Sequence, residues 1–320
     1  MKLGMLNVPF AGLSLENMLQ YLNKLGVQAI ELGSGGFTND AHCKPAELLM
    51  DRHKATELKK MIEAYGMTIS ALSCHGNPVH PNENIAKAAH NTYVDTIKLA
   101  EVLGVDTVVT FSGCPGGSEQ DVRPNWVTCP WPPEFSEVLS YQWNEKLIPY
   151  WQKAARIAED SGVRVAIEMH PGFCVYNTET MLRLHEAAGN AVGANFDPSH
   201  LFWQGMDHVA AIRELGDVIY YVHAKDCRID RINVEKHGIL DTKHYSDEVH
   251  RSWVFCTVGY GHNDRVWKEI IASLRMAGYD GVLSIEHEDS LMSVNEGAEK
   301  AVAFLKNLLI SEKAGTMWWA

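Results

Sequence analysis

The chain is expected to fold as an α/β protein, a single (β/α)8 barrel over residues 1–320 with long loops after strands 4 and 7. Three observations predict this. Eight short apolar runs of strand character alternate with segments of helical spacing. No glycine-rich dinucleotide loop interrupts the eight rounds, which favours closure of the sheet. The last four runs each finish on an ionisable residue, and strand ends are where a barrel carries its chemistry.

The runs are about Leu3–Val8, Gln28–Leu32, Thr68–Cys74, Thr107–Phe111, Arg164–Glu168, Val192–Phe196, Val218–Val222 and Val282–Ile285. Between them, Ser14 is expected to cap a helix carrying Leu15, Met18, Leu19 and Leu22, with Gly26 as its stop. Asn177 or Thr178 would cap a helix with Met181, Leu182 and His185 before Gly189 ends it. Val294, Ala298, Val302, Leu305 and Leu309 mark a final amphipathic helix. Two connections are long, Ser112 to about Glu137 and Cys227 to about His262. Both are rich in aromatic residues, which suits a pocket wall that stacks on a sugar.

A net charge of −12 opposes nucleic acid and anionic membranes as partners and leaves a small neutral sugar open. Seven cysteines without a Cys-x-x-Cys pair suit free thiols in a reducing compartment. The opening residues, cut by Pro9, are too briefly apolar for a signal peptide, so the expected location is cytoplasmic. Cys74, Cys114 and Cys174 are expected to be inert. His53, His90, His185 and His208 are expected on solvated helix surfaces.

The chemistry concentrates at four strand ends: Ala166-Ile-Glu-Met-His-Pro171, Gly193-Ala-Asn-Phe-Asp-Pro-Ser-His200, Ile219-Tyr-Tyr-Val-His-Ala-Lys-Asp226 and Val282-Leu-Ser-Ile-Glu-His-Glu-Asp289. Each delivers one strong ligand, so Glu168, Asp197, His223 and Glu286 are expected to hold one divalent metal. This oxygen-rich set favours Mn²⁺, with Co²⁺ or Mg²⁺ as alternatives. Period-two alternation turns His170, Lys225 and Glu288 inward with them and Met169 and His287 outward. His170, beside the metal, is a competing candidate base. His75 sits where a pocket residue or a second-metal ligand would, and Glu31 either joins a polar network inside the barrel or touches substrate.

The order Glu, Asp, His, Glu, with Ile167-Glu-Met-His-Pro, Phe196-Asp-Pro-Ser-His, Val222-His-Ala-Lys-Asp and Ser284-Ile-Glu-His-Glu-Asp, resembles the xylose-isomerase-like TIM-barrel superfamily over essentially the whole chain. That superfamily includes ketose 3-epimerases and inosose dehydratases. The resemblance implies a metal-dependent sugar isomerase or epimerase that removes a proton beside a carbonyl and stabilises an enediolate. Glu168 and Glu286 would exchange the proton on opposite faces, while His200, Lys225 and Arg228 would bind substrate oxygens.

The alternative within the resemblance is a 3-keto-glycoside lyase, which starts with the same proton abstraction and can need a partner subunit. Trp318-Trp319 would suit such an interface, and a homo-oligomer is equally open. A non-catalytic binding barrel predicts no bound metal. The endonuclease branch fits less well: the fourth run ends Thr110-Phe-Ser112 without a histidine, and the acidic charge opposes DNA. No phosphate-cradling glycine loop follows strand 7 or 8, which leans toward a non-phosphorylated substrate.

Overall fold

The computed structural model describes residues Met1–Ala320. Ten short runs rich in β-branched and other apolar residues form strands β1 (Lys2–Leu6), β2 (Ala29–Gly33), β3 (Thr68–Ser73), β4 (Thr107–Phe111), β5 (Arg164–Glu168), β6 (Val192–Phe196), β7 (Ile219–Ala224), β8 (Asp226–Ile229), β9 (Trp253–Cys256) and β10 (Val282–Ile285). Eight of them close into a parallel barrel in the order β1-β10-β7-β6-β5-β4-β3-β2. The expected barrel is therefore present. Its first strand stops early, because Pro9, which has no N–H to donate, sits in a 3₁₀ turn over Val8–Phe10. Its seventh runs two residues further than expected, to Ala224.

The remaining two strands, β8 and β9, form an antiparallel pair inside the long connection after β7, with Cys227 opposite Phe255. The sequence predicts only a loop over this stretch. Two four-residue strands separated by a long segment carry no hairpin turn signal, so their pairing is a tertiary event.

Period-two alternation stacks the barrel interior in layers. Ala71, Val109 and Ala166 surround Tyr221 in a cluster separate from the main core. Their small side chains leave room for the phenol, whose hydroxyl lies 2.7 Å from Ser70 Oγ. Two residues further along the same strands come Ser73, Phe111, Glu168 and His223, and two further again His75, His170 and Lys225. The polar end of the barrel is thus the C-terminal end of its strands.

Outside the strands, helices are ended as their sequences dictate. Ser14 Oγ accepts from Asn17 N, and Gly26 closes that helix at φ 82°, a left-handed conformation suited to glycine. Asn177 forms a capping box with Thr180. The last helix spans Val294–Lys306 and Leu309 lies beyond it, half-buried against the core. Met169 is buried, and His287 turns outward against Gly297 of that helix. Of the four histidines expected to be solvated, His53 is exposed, while the others dock: His185 on Val192 O at 2.6 Å, His90 near the Tyr150 hydroxyl, and His208 against Phe202. All seven cysteines are unpaired, and burial pushes the Cys74 thiol up to about 12. No helix is long and apolar enough to cross a membrane.

The connection after β7 is tied down at its base by Asp226. This fully buried carboxylate accepts from the backbone N–H groups of Gly259 (3.0 Å), Gly261 (3.2 Å) and His262 (3.0 Å), and it also meets His262 Nδ1 at 2.7 Å. A Cβ at Gly261 would lie 2.1 Å from Cys227 O, so only glycine permits the wrap. Asp226→Ala should lower folding stability by about 3 kcal/mol or more, since each buried donor left without an acceptor costs about 1–3 kcal/mol. Urea unfolding followed by circular dichroism measures this, and an unchanged midpoint would refute the anchoring role.

Candidate active site

At the polar end of the barrel, Glu168, Asp197, His223 and Glu286 bring one ligand atom each within 4.8 Å of one another. Local structure aims each of them. Asp197 precedes Pro198, which starts the short helix Pro198–Phe202, and its Oδ1 caps that helix by accepting from Ser199 N at 2.8 Å. That leaves Oδ2 free. Glu286 follows β10; its Oε1 accepts from Lys225 Nζ at 3.1 Å, leaving Oε2 free. Glu168 ends β5, with Oε1 3.1 Å from His200 Nε2 and Oε2 2.9 Å from His75 Nε2.

His223 is oriented from behind. Its Nε2 lies 3.0 and 3.1 Å from the two oxygens of Glu31, which turns Nδ1 toward the other three residues. Glu31, fully buried, is itself held by Ser73 and by Ser284 Oγ at 2.6 Å. Of the two roles left open for Glu31, its contacts are those of the network inside the barrel.

The donor set fits a divalent cation. Asp197 Oδ2, His223 Nδ1 and Glu286 Oε2 are buried and have no hydrogen-bond partner. Yet His223 Nδ1 lies 3.0 Å from Glu286 Oε2 and 3.2 Å from Glu168 Oε2. These atoms converge on a common point rather than on each other. Buried polar atoms left in this way each cost about 1–3 kcal/mol, which a cation at that point would remove.

Charge is strongly biased in this cluster. Burial opposes ionisation of Glu168, but hydrogen bonds from His200, His223 and His75 outweigh it and hold the acid well below the usual carboxylate range. Glu286 is likewise opposed by burial and drawn down to about 2 by Lys225. Burial lifts Asp197. Burial also disfavours charge on His223, but Glu31 and Glu286 overcome it and raise its pKa well above the ordinary histidine value. Burial, with His200 alongside, drops His170 to about 3.

A cavity of about 750 Å³ opens over the cluster. Glu168 and Glu286 line it, whereas Asp197 and His223 lie behind them. Of the other residues singled out from sequence, His75, His170 and Lys225 line the cavity. His170 keeps its Nδ1 on Pro171 O at 2.6 Å, leaving Nε2 free. Lys225 also pairs with Glu288 at 2.8 Å. His200 is buried behind the lining, 3.3 Å from Asp197 Oδ2 and engaged with Glu168. Arg228 is not brought to the site: it is exposed on β8, outside the cavity lining, because the β8–β9 pairing turns it to solvent.

Sequence reasoning did not single out Phe111, which ends β4 in the inward phase, or Asn195, whose Nδ2 donates to Glu168 Oε2 at 3.3 Å. Alternation back from Asp197 was the available signal for Asn195. Phe37, Glu248 and Asp289 were missed as well, and they reach the cavity only through loop folding.

Glu31→Gln should weaken divalent-metal binding about 10–100-fold, the usual effect of losing a ligand's outer hydrogen-bond partner. Isothermal titration of the chelator-treated protein with Mn²⁺ or Co²⁺ measures it, and unaltered affinity would refute the orienting role. The raised pKa of His223 sets the sign of the pH dependence. Below that pKa the ring carries a proton that a cation must displace, so affinity should rise with pH, by about tenfold per unit for one displaced proton. A flat profile across neutral pH would show that His223 is not a ligand.

Comparison with known proteins agrees with this architecture. A family model described as xylose isomerase-like TIM barrel matches residues 19–308. The uncharacterized protein YfiH of Bacillus subtilis (strain 168) is 40% identical over 312 residues, 97% of this chain and 99% of YfiH. An inosose dehydratase of Geobacillus kaustophilus (strain HTA426) is 31% identical over 145 residues, so the match spans about half of either chain, 45% of each. Among solved structures, D-psicose 3-epimerase in the presence of D-fructose superposes with a TM-score of 0.62 at 14% identity, covering 97% of this chain and 99% of that one; it shares the fold. By the family match and the full-length likeness to YfiH, the chain belongs to the xylose isomerase-like TIM barrel family.

Proposed function

We propose that the chain is a divalent-metal-dependent isomerase or epimerase of a keto sugar, with Mn²⁺ as the metal. One observation carries the reading. Of the four converging ligands, the two that line the cavity are the two glutamates, so both a cation and two carboxylates meet the bound molecule from the barrel floor. The bound cation would act as a Lewis acid on the substrate's carbonyl and neighbouring oxygen.

The chain's own groups divide the remaining work. Glu286, which lines the cavity, takes or returns the proton on one face of the carbon beside the carbonyl, and Glu168 does so on the other. Both are held ionised, as proton acceptors must be. His170 is a poor base at a pKa of about 3, but its free Nε2 can accept a hydrogen bond from a sugar hydroxyl. Burial opposes the charge on Lys225, yet Glu286 and Glu288 keep it protonated, so it donates to substrate oxygens without exchanging protons. The Geobacillus relative acts, by its name, on an inosose.

The test is a screen of ketoses in D₂O with Mn²⁺ present, following deuterium incorporation and new sugar signals by NMR. Glu286→Gln should lower kcat for exchange by about 10²–10⁴-fold, the range for a lost acid–base group. Elemental analysis of that variant separates loss of the base from loss of the metal. Undiminished exchange in the variant would sink the role of Glu286, and the absence of exchange on every ketose would sink the isomerase reading.

A further inference from the structure

The candidate metal position has a rival cation beside it. Lys225, almost wholly buried, brings an ammonium to the same acids that converge on His223. Strand register puts it there. Ser284 lies opposite His223 and Ile285 opposite Ala224, and the pairing runs on through Glu286 N, which donates to Ala224 O at 3.2 Å. Lys225 and Glu286 are therefore neighbours one step past β7 and β10, each on the inward phase of its strand. Nζ lies 3.1 Å from Glu286 Oε1. The other oxygen of that carboxylate, Oε2, has no hydrogen-bond partner and lies 3.0 Å from His223 Nδ1.

A lysine can move where the other groups of the cluster are held. Its ammonium ends a flexible four-carbon stem and has three donors to place. Burial opposes its charge, whereas Glu286, Glu288, Asp197 and Glu168 all favour it. Glu286 Oε2 and Asp197 Oδ2 are buried acceptors without a donor. An ammonium that swung inward would satisfy both and fill the place of a divalent cation.

Glu288 opposes that swing. Its Oε2 lies 2.8 Å from Lys225 Nζ, a closer contact than Glu286 makes. The two acids differ in depth. Glu288 is half exposed, Glu286 is largely buried and Asp197 wholly so, which means that Glu288 draws the ammonium toward the cavity mouth. Phe255 lines the cavity next to the ammonium, its ring centroid 4.3 Å from Nζ. Lys225 is also the one ion-pair partner of Glu288.

We infer that Glu288 is a positioning residue for the metal site: its carboxylate retains the Lys225 ammonium toward the mouth, so that Glu286 Oε2 and Asp197 Oδ2 stay open to a divalent cation. The inference rests on the metal site described above and adds to it a residue that is not itself a ligand. A nearby carboxylate also attracts a cation through space. The two effects separate by reach, because only a tether needs the full length of the side chain, and by background, because only a tether needs the lysine.

Isothermal titration of the chelator-treated protein with Mn²⁺ measures both. Glu288→Ala, at an exposed position, should weaken Mn²⁺ binding about tenfold or more, as for the loss of an outer hydrogen-bond partner. Glu288→Asp keeps the charge but falls one methylene short of Lys225, so it should weaken binding by nearly as much. In a Lys225→Met background, checked for fold by circular dichroism, Glu288→Ala should change the affinity by less than about twofold, since the rival cation is gone. Unaltered affinity in Glu288→Ala, full affinity in Glu288→Asp, or an equal loss in both backgrounds would each overturn the inference. If Lys225→Met does not fold, the comparison of Glu288→Asp with Glu288→Ala decides by itself. Failure of the unaltered protein to bind Mn²⁺ would remove the metal-dependent reading and this inference together, whereas binding that is indifferent to Glu288 removes the inference alone.

Discussion

The structure turns on an excess of buried negative charge around one imidazole. Glu168, Asp197 and Glu286 converge on the inner nitrogen of His223 while Glu31 holds its outer one, and all but Glu286 are almost wholly removed from water. Carboxylates at this density repel each other in a medium where water screens poorly. The chain offsets part of that repulsion with His75, His200 and Lys225. It leaves three of the converging atoms without a hydrogen-bond partner, in a cluster that could hold a metal ion. Two of the acids divide their oxygens in the same way: Asp197 spends one on a helix cap and Glu286 spends one on Lys225, leaving the second without a hydrogen bond, whereas both oxygens of Glu168 are engaged.

The rest of the barrel makes that arrangement possible. Small residues at Ala71, Val109 and Ala166 let Tyr221 fill the lower interior, so the layer above rests on a packed floor rather than a water channel. Parallel pairing with fixed register then carries Glu168 beside Phe111 on β4, and Ser284 beside His223 on β7. The loops supply the upper walls. Asp226 gathers three backbone N–H groups, and that anchoring fixes the base of the segment carrying Tyr245 and Phe255. The floor is therefore rigid, polar and metal-directed, whereas the rim is aromatic and acidic.

Much of this could be read in the chain itself, for a definite reason. Strand ends in a parallel barrel share one mouth, so Glu168, Asp197, His223 and Glu286 could be grouped before any coordinates, and alternation by two placed His170, Lys225 and Glu288 beside them. Local rules also gave Ser14, Asn177 and Gly26 their capping roles. The same reasoning failed where position depended on chain path rather than on a strand's own phase. Arg228, past the end of β7, was expected to reach substrate, but the β8–β9 pairing turns it to solvent. His200 was expected to touch substrate and instead packs behind Glu168, because the turn of helix after Asp197 folds it back under the ligands.

The sequence by itself determined the barrel, the four converging ligands and the apolar character of the core, since each follows from short-range periodicity and the common direction of parallel strands. Tertiary structure decided which ligand oxygens are free, that Glu31 orients His223, and that Phe37 and Tyr245 line one cavity. Those relations join residues far apart in the chain, and the closure of the barrel and the anchoring of its long loop set them. No local pattern encodes which loops share a cavity.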